Sequence, residues 1–212
     1  MASSDLSAVM ALVSELPEAE GRSVIAIAGP PGSGKSTLAE QVVENINSQF
    51  RADVAAVVPM DGFHLDNSLL IERGLLSRKG SPDTFDVDGF ANLLNAIKGT
   101  RVDIRYPLFD RPSDKIIENA ALLKATTKVV VVEGNYLLLD QTPWNSLASL
   151  FDVSVFLAPA FDVLEQRLME RWLNLGFSTE AAKVKVESND LINAKLVLTR
   201  SQSADLTLDC TN

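Results

Sequence analysis

The chain has 212 residues, with 28 acidic against 19 basic side chains and a net charge of −9. That balance repels a phosphate backbone and disfavours a polymeric nucleic-acid partner. Hydrophobic residues make up 46%, enough to bury the core of one compact domain with insertions, yet no apolar run approaches the roughly 18 residues that span a membrane.

The single cysteine, Cys210, leaves no disulfide framework and no thiolate metal site. No basic, apolar leader precedes Arg22, so the expectation is a cytoplasmic protein, monomer or homodimer, with no membrane partner. Leu6 to Leu16 places Leu6, Val9, Met10 and Val13 at helical spacing, with Ser4 or Asp5 as the expected cap and Pro17 as the stop.

Ser23 to Ala28 is a short β-branched strand ended by Gly29, and helical periodicity resumes from Ser36. Asp53 to Met60, Lys128 to Val132, Asp152 to Leu157 and Ala204 to Leu208 read as further strands. Helical patterns lie at Thr37 to Phe50, Phe90 to Ile97 and Ala160 to Leu175. Strands whose apolar residues are continuous rather than alternating, interleaved with helices, predict a doubly wound α/β fold, a parallel sheet covered on both faces in three layers. One domain, 1–212, is expected, with an acceptor-binding insertion at 62–112 and a helical lid at 161–195 near the carboxyl ends of the strands.

Gly29, Pro30, Pro31, Gly32, Ser33, Gly34, Lys35 and Ser36 match G-x-x-x-x-G-K-[ST] between a strand and a helix, the context a phosphate-binding loop requires. Such a loop turns several N–H groups inward at phosphate oxygens. Lys35 adds charge to the β- and γ-phosphates and the Ser36 hydroxyl is placed for magnesium. Asp61 directly follows the second strand, where a base for an alcohol acceptor would stand; its ordinary alternative is to cap the next turn. Glu133 ends the third strand, where P-loop proteins keep a magnesium-orienting acid, either as ligand or through a bound water. Arg167 and Arg171 share a helix face that could swing onto the phosphates, or they are a solvated face.

The ordered set Gly29 to Thr37, Asp61-Gly62-Phe63-His64, Ser81 to Asp86, Tyr106 to Asp110 and Val132 to Asn135 resembles the uridine kinase, pantothenate kinase and phosphoribulokinase family. Within it, the likeness is to the nucleoside/nucleotide-kinase-like proteins that include fructose transport system kinases. The resemblance implies a P-loop NTPase fold with a five-stranded parallel sheet, ATP and Mg2+ as donor and cofactor, a base at Asp61, and lid arginines at Arg167 and Arg171. It places acceptor recognition around Arg78 to Asp86, which includes Asp83, and from Tyr106 to Arg111, and it brings Asn193 toward the adenine. The function implied is transfer of the γ-phosphoryl of ATP to a hydroxyl of a small metabolite, a sugar such as fructose or a nucleoside or vitamin-like alcohol. A nucleoside monophosphate kinase and a nucleotide-hydrolysing regulatory protein are the alternatives.

Two residues stay open on sequence alone, and two others are read as structural. His64 either bonds the acceptor or is a satisfied loop residue, Arg111 binds substrate or pairs with Asp110, and Trp144 and Trp172 are read as packing residues. Asp86-Val87-Asp88-Gly89 imitates a GTPase D-x-x-G but follows no apolar strand and is set aside.

Overall fold

The computed structural model describes residues 3–16 and 21–209. Its elements run α1 (Ser3–Ser14), β1 (Ser23–Ala28), α2 (Lys35–Phe50), β2 (Ala55–Pro59), α3 (Asn67–Glu72), α4 (Val87–Gly99), β3 (Ile104–Asp110) and β4 (Lys115–Leu123). They continue with β5 (Val129–Gly134), β6 (Val153–Leu157), α5 (Phe161–Asn174), α6 (Thr179–Lys185), α7 (Leu191–Arg200) and β7 (Leu206–Leu208). The expected cap residues Ser4 and Asp5 lie inside α1, while Pro17 and Cys210 fall outside the described residues.

Five strands form one parallel sheet in the order β2-β5-β1-β6-β7. The strand that feeds the phosphate loop is central, and its side chains alternate between two cores. Ile25 and Ile27 pack with Leu38, Val42 and Ile46 of α2 and Val9 of α1. Val24, Ala26 and Ala28 face Phe90, Leu94 and Ile97 of α4, Trp144, and Val197 of α7. Burial on both faces is why these strands are predominantly apolar rather than alternating, and it yields the three layers.

The sequence reading assigns no strand between the second and third sheet strands and ends the insertion at Pro112. The structure carries an antiparallel hairpin there, β3 with β4, that runs on to Leu123. Most residues of β4 are exposed, and Glu118 and Asn119 split its apolar residues into two short stretches with no strand alternation for a periodicity argument to find. The Asp86-to-Gly89 tetrapeptide is a helix start, because the Asp86 carboxylate accepts the Gly89 N–H at 2.9 Å and caps α4.

Arg22 is 1% exposed. Its guanidinium donates to the carbonyls of Thr100 and Val102 at 2.6 Å, Lys124 at 3.1 Å and Thr127 at 3.2 Å. It thus ties the entry of the central strand to the end of α4 and both roots of the hairpin. Replacing it by Met leaves those carbonyls unpaired, and we expect a loss of about 3 kcal/mol in urea unfolding. A shift below about 0.5 kcal/mol would show that water replaces the guanidinium without cost.

Candidate active site

The loop between β1 and α2 has Gly32 and Gly34 at φ 80° and 93°, a left-handed backbone that side chains disfavour. No side chain caps α2, so its first N–H groups remain for a ligand. The Ser33 hydroxyl is buried without a hydrogen-bond partner among the described residues, as expected of a loop shaped to close on phosphate oxygens. These features fit the triphosphate of ATP.

Lys35 opens α2, and Glu133 lies 7% exposed near the end of β5. The Ser36 hydroxyl lies close enough to the Glu133 carboxylate to favour its charged form. Burial pushes the Glu133 carboxyl above its usual range; Lys35 opposes that shift and Asp61 adds to it. Burial likewise pushes the Lys35 ammonium down, while Glu133 and then Asp61 hold it up. One hydroxyl beside one buried carboxylate suits Mg2+, which takes few protein ligands and completes its shell with phosphate and water oxygens. No group of three or more acidic, histidine or cysteine side chains that could cage a metal occurs among the described residues.

Asp61 sits on a 3-10 turn, Met60 to Phe63, at the carboxyl end of β2. Its neighbours fix it from both sides. The Met60 side chain packs so closely on Gly134 that a Cβ there would fall 2.6 Å from it, and a Cβ on Gly62 would lie 2.3 Å from the Pro107 carbonyl oxygen of the hairpin. Arg111, at the hairpin turn, donates from Nη2 to Asp61 Oδ2 at 2.7 Å. The partner of Arg111 is therefore Asp61, whereas Asp110 accepts the Ser113 N–H at 3.1 Å and bonds the Ser113 hydroxyl, shaping the turn.

His64 donates from Nδ1 to the Asp61 carbonyl at 2.8 Å. Its ring lies between Phe85 and Phe109, with centroids 4.1 and 4.7 Å away. A carbonyl can only accept, so the proton is on Nδ1 and Nε2 keeps its lone pair. Burial lowers the His64 pKa below the ordinary 6.5. The contribution to stability is therefore complete above about pH 6.5 and lost as pH falls through the lower folded value. In a comparison of wild type with His64→Gln, we expect the variant to lose less stability between pH 7 and pH 5; equal losses would remove His64 from the acid response.

From α5, Arg167 donates to the Gly32 and Ser33 carbonyls at 3.4 Å, and Leu168 packs on Gly32. Burial lowers the Arg171 pKa, as does Arg111, against the opposing effects of Asp190 and Asp61. Lys35, Asp61, Arg111 and Arg171 therefore share one electrostatic neighbourhood, with Glu133 beside Lys35 and Asp61. Asp190 also accepts the Trp172 indole N–H at 2.6 Å, a contact that sequence gave no signal for because a π-helical turn at Val186–Asp190 sets its register.

Other expected site residues are otherwise employed. Tyr106 is 6% exposed and donates to the Val57 carbonyl at 3.0 Å; strand alternation turns it inward, so it anchors the hairpin to β2 and presents no surface to an acceptor. Asn193 is 3% exposed and hydrogen-bonded to Arg78, Asn189 and the Gly80 carbonyl, which joins α7 to the insertion. Arg78 donates to the Ser188 carbonyl at 2.8 Å as well. Asp83 is exposed on a 3-10 turn. Trp144 packs on Phe85 and Tyr136, as read from the sequence. No helix among the described residues is long and apolar enough to cross a membrane.

Comparison with known proteins agrees with this geometry. Residues 24–210 match the profile of the phosphoribulokinase / uridine kinase family. The uncharacterized Escherichia coli (strain K12) protein YggC is 36% identical over 191 residues, which is 90% of this chain and 78% of that protein. A provisionally named uridine kinase of Schizosaccharomyces pombe is 32% identical over 202 residues, covering 92% and 86% of the two chains. Among solved structures, a provisionally named fructose transport system kinase from Silicibacter sp. TM1040 superposes with a TM-score of 0.91 at 44% identity, over 96% of this chain and 98% of that one. The chain belongs to the phosphoribulokinase / uridine kinase family of P-loop proteins and is an ATP-dependent small-molecule kinase.

Proposed function

We propose that the chain moves the γ-phosphoryl of ATP to a hydroxyl of a small polar metabolite, a fructose-like sugar or a nucleoside or vitamin-like alcohol. The observation that carries this reading is the placement of Asp61, a fixed carboxylate in the electrostatic neighbourhood of Lys35. In the step itself the acceptor oxygen bonds to the γ-phosphorus as the bond to the ADP oxygen breaks. The acceptor proton passes to Asp61, and Lys35 and Arg171 face the charge on the transferring group. When bound at Ser36 and Glu133, Mg2+ would neutralise charge on the β- and γ-phosphate oxygens. Arg167 braces the loop through the Gly32 and Ser33 carbonyls.

Residues 62–112, with the hairpin continuing to Leu123, take the acceptor in this reading, and 161–195 serve as the lid. The sugar among the acceptor classes draws support from the name of the Silicibacter relative. A nucleoside monophosphate acceptor draws less. Of the basic side chains that could hold its phosphate, Arg78 and Lys79 are engaged by Ser188, Asn193, Asn67 and Asp114. Mass spectrometry of candidate alcohols incubated with ATP, Mg2+ and the protein tests the proposal: one alcohol should gain a phosphoryl group. A panel that yields only ADP and free phosphate would replace it with nucleotide hydrolysis.

A further inference from the structure

The cations near Asp61 come from separate elements. Lys35 begins α2, and Arg171 lies on α5, which packs on the phosphate loop. Arg111 comes from the hairpin turn. Its side chain is 58% exposed and makes one hydrogen bond, from Nη2 to Asp61 Oδ2, so most of its five N–H donors have no partner among the described residues.

The turn that carries Arg111 is pinned. Asp114 accepts from Lys79 Nζ at 2.8 Å and from Asn67 at 2.8 Å, and Lys79 stands over the Phe109 ring at 4.9 Å. Arg111 is thus held beside the base with its guanidinium prepared for a second anion, an arrangement that lowers the ordering cost of binding one.

Resting on the kinase reading above, we propose that the acceptor carries an anionic group, a carboxylate or a phosphate, besides the hydroxyl that is phosphorylated, and that Arg111 is the residue that binds it. An acceptor whose hydroxyl reaches Asp61 arrives within reach of the unpaired guanidinium donors. A neutral acceptor would shield those donors from water without replacing their hydrogen bonds, whereas an anion pairs with them.

The test uses matched alcohols that differ in charge: fructose with fructose 1-phosphate and 6-phosphate, glycerol with glycerate, and pantothenol with pantothenate. Each is assayed by ADP release and by calorimetric titration, with wild type and Arg111→Gln. In at least one set the charged member should be favoured in kcat/KM by about a hundredfold, and Arg111→Gln should erase most of that preference. Whether the phosphates or the carboxylates respond names the group. Equal or better turnover of the neutral members overturns the inference and leaves the kinase intact. A loss in Arg111→Gln that is the same for charged and neutral members also overturns it, because Arg111 then serves only the base or the nucleotide. If no alcohol is phosphorylated, the kinase reading fails and titration decides separately: tighter binding of charged members that vanishes in Arg111→Gln sustains the anion site, and any other pattern ends it.

Discussion

Asp61→Asn should lower kcat by about two to four powers of ten while the affinity for ATP stays near that of wild type. The amide matches the carboxylate in size and can still accept from Arg111 Nη2, the 2.7 Å partner of Oδ2, so the turn between Met60 and Gly62 keeps its packing. What disappears is the capacity to take a proton. A drop of less than about threefold would remove Asp61 from the role of base and leave it as an anchor for the hairpin turn. Measuring kcat and KM separately distinguishes these outcomes, because an anchor acts through acceptor binding and a base acts on the chemical step.

Lys35→Ala should abolish ATP-dependent turnover, with a loss of at least about a hundredfold. Lys35 is the cation that faces the β- and γ-phosphates in a loop of this kind, and no other lysine lies in the loop. A second consequence follows from its surroundings. Lys35 is the largest influence holding the buried Glu133 carboxyl down, so its removal should push the Glu133 pKa further up. Intact turnover in Lys35→Ala would overturn the phosphate assignment. Circular dichroism of the variant separates lost chemistry from lost folding.

Much of this molecule is legible in its sequence because the relevant physics is local. Val129 to Val132 and Val24 to Ala28 announce buried parallel strands by being apolar throughout, and the phosphate loop is a contiguous string whose glycines, lysine and serine each have a fixed job. Asp61 and Glu133 are found by position, immediately at strand ends. What sequence does not reveal is set by distant partners. The hairpin strand Lys115–Leu123 is largely solvated, and Glu118 and Asn119 interrupt its apolar residues. Arg22 gives no hint that carbonyls 78 to 105 positions away will surround it. Tyr106 and Asn193 are polar enough to resemble ligand contacts, yet the fold spends them on the Val57 carbonyl and on Arg78, Asn189 and Gly80. Arg111 illustrates the same limit in the other direction: its sequence neighbour Asp110 is the obvious partner, and only the hairpin shows that the carboxylate it meets is Asp61.

The central claim is that this site transfers phosphoryl groups to an alcohol, and the most direct test is acceptor-dependent ADP release by the purified protein with ATP and Mg2+. Addition of one alcohol from the panel of sugars, sugar phosphates, hydroxy acids, nucleosides and pantothenate should raise the rate at least about tenfold over the acceptor-free rate. A slow release of ADP that no alcohol stimulates, with free phosphate as its counterpart, would contradict the account and identify the chain as a nucleotide hydrolase.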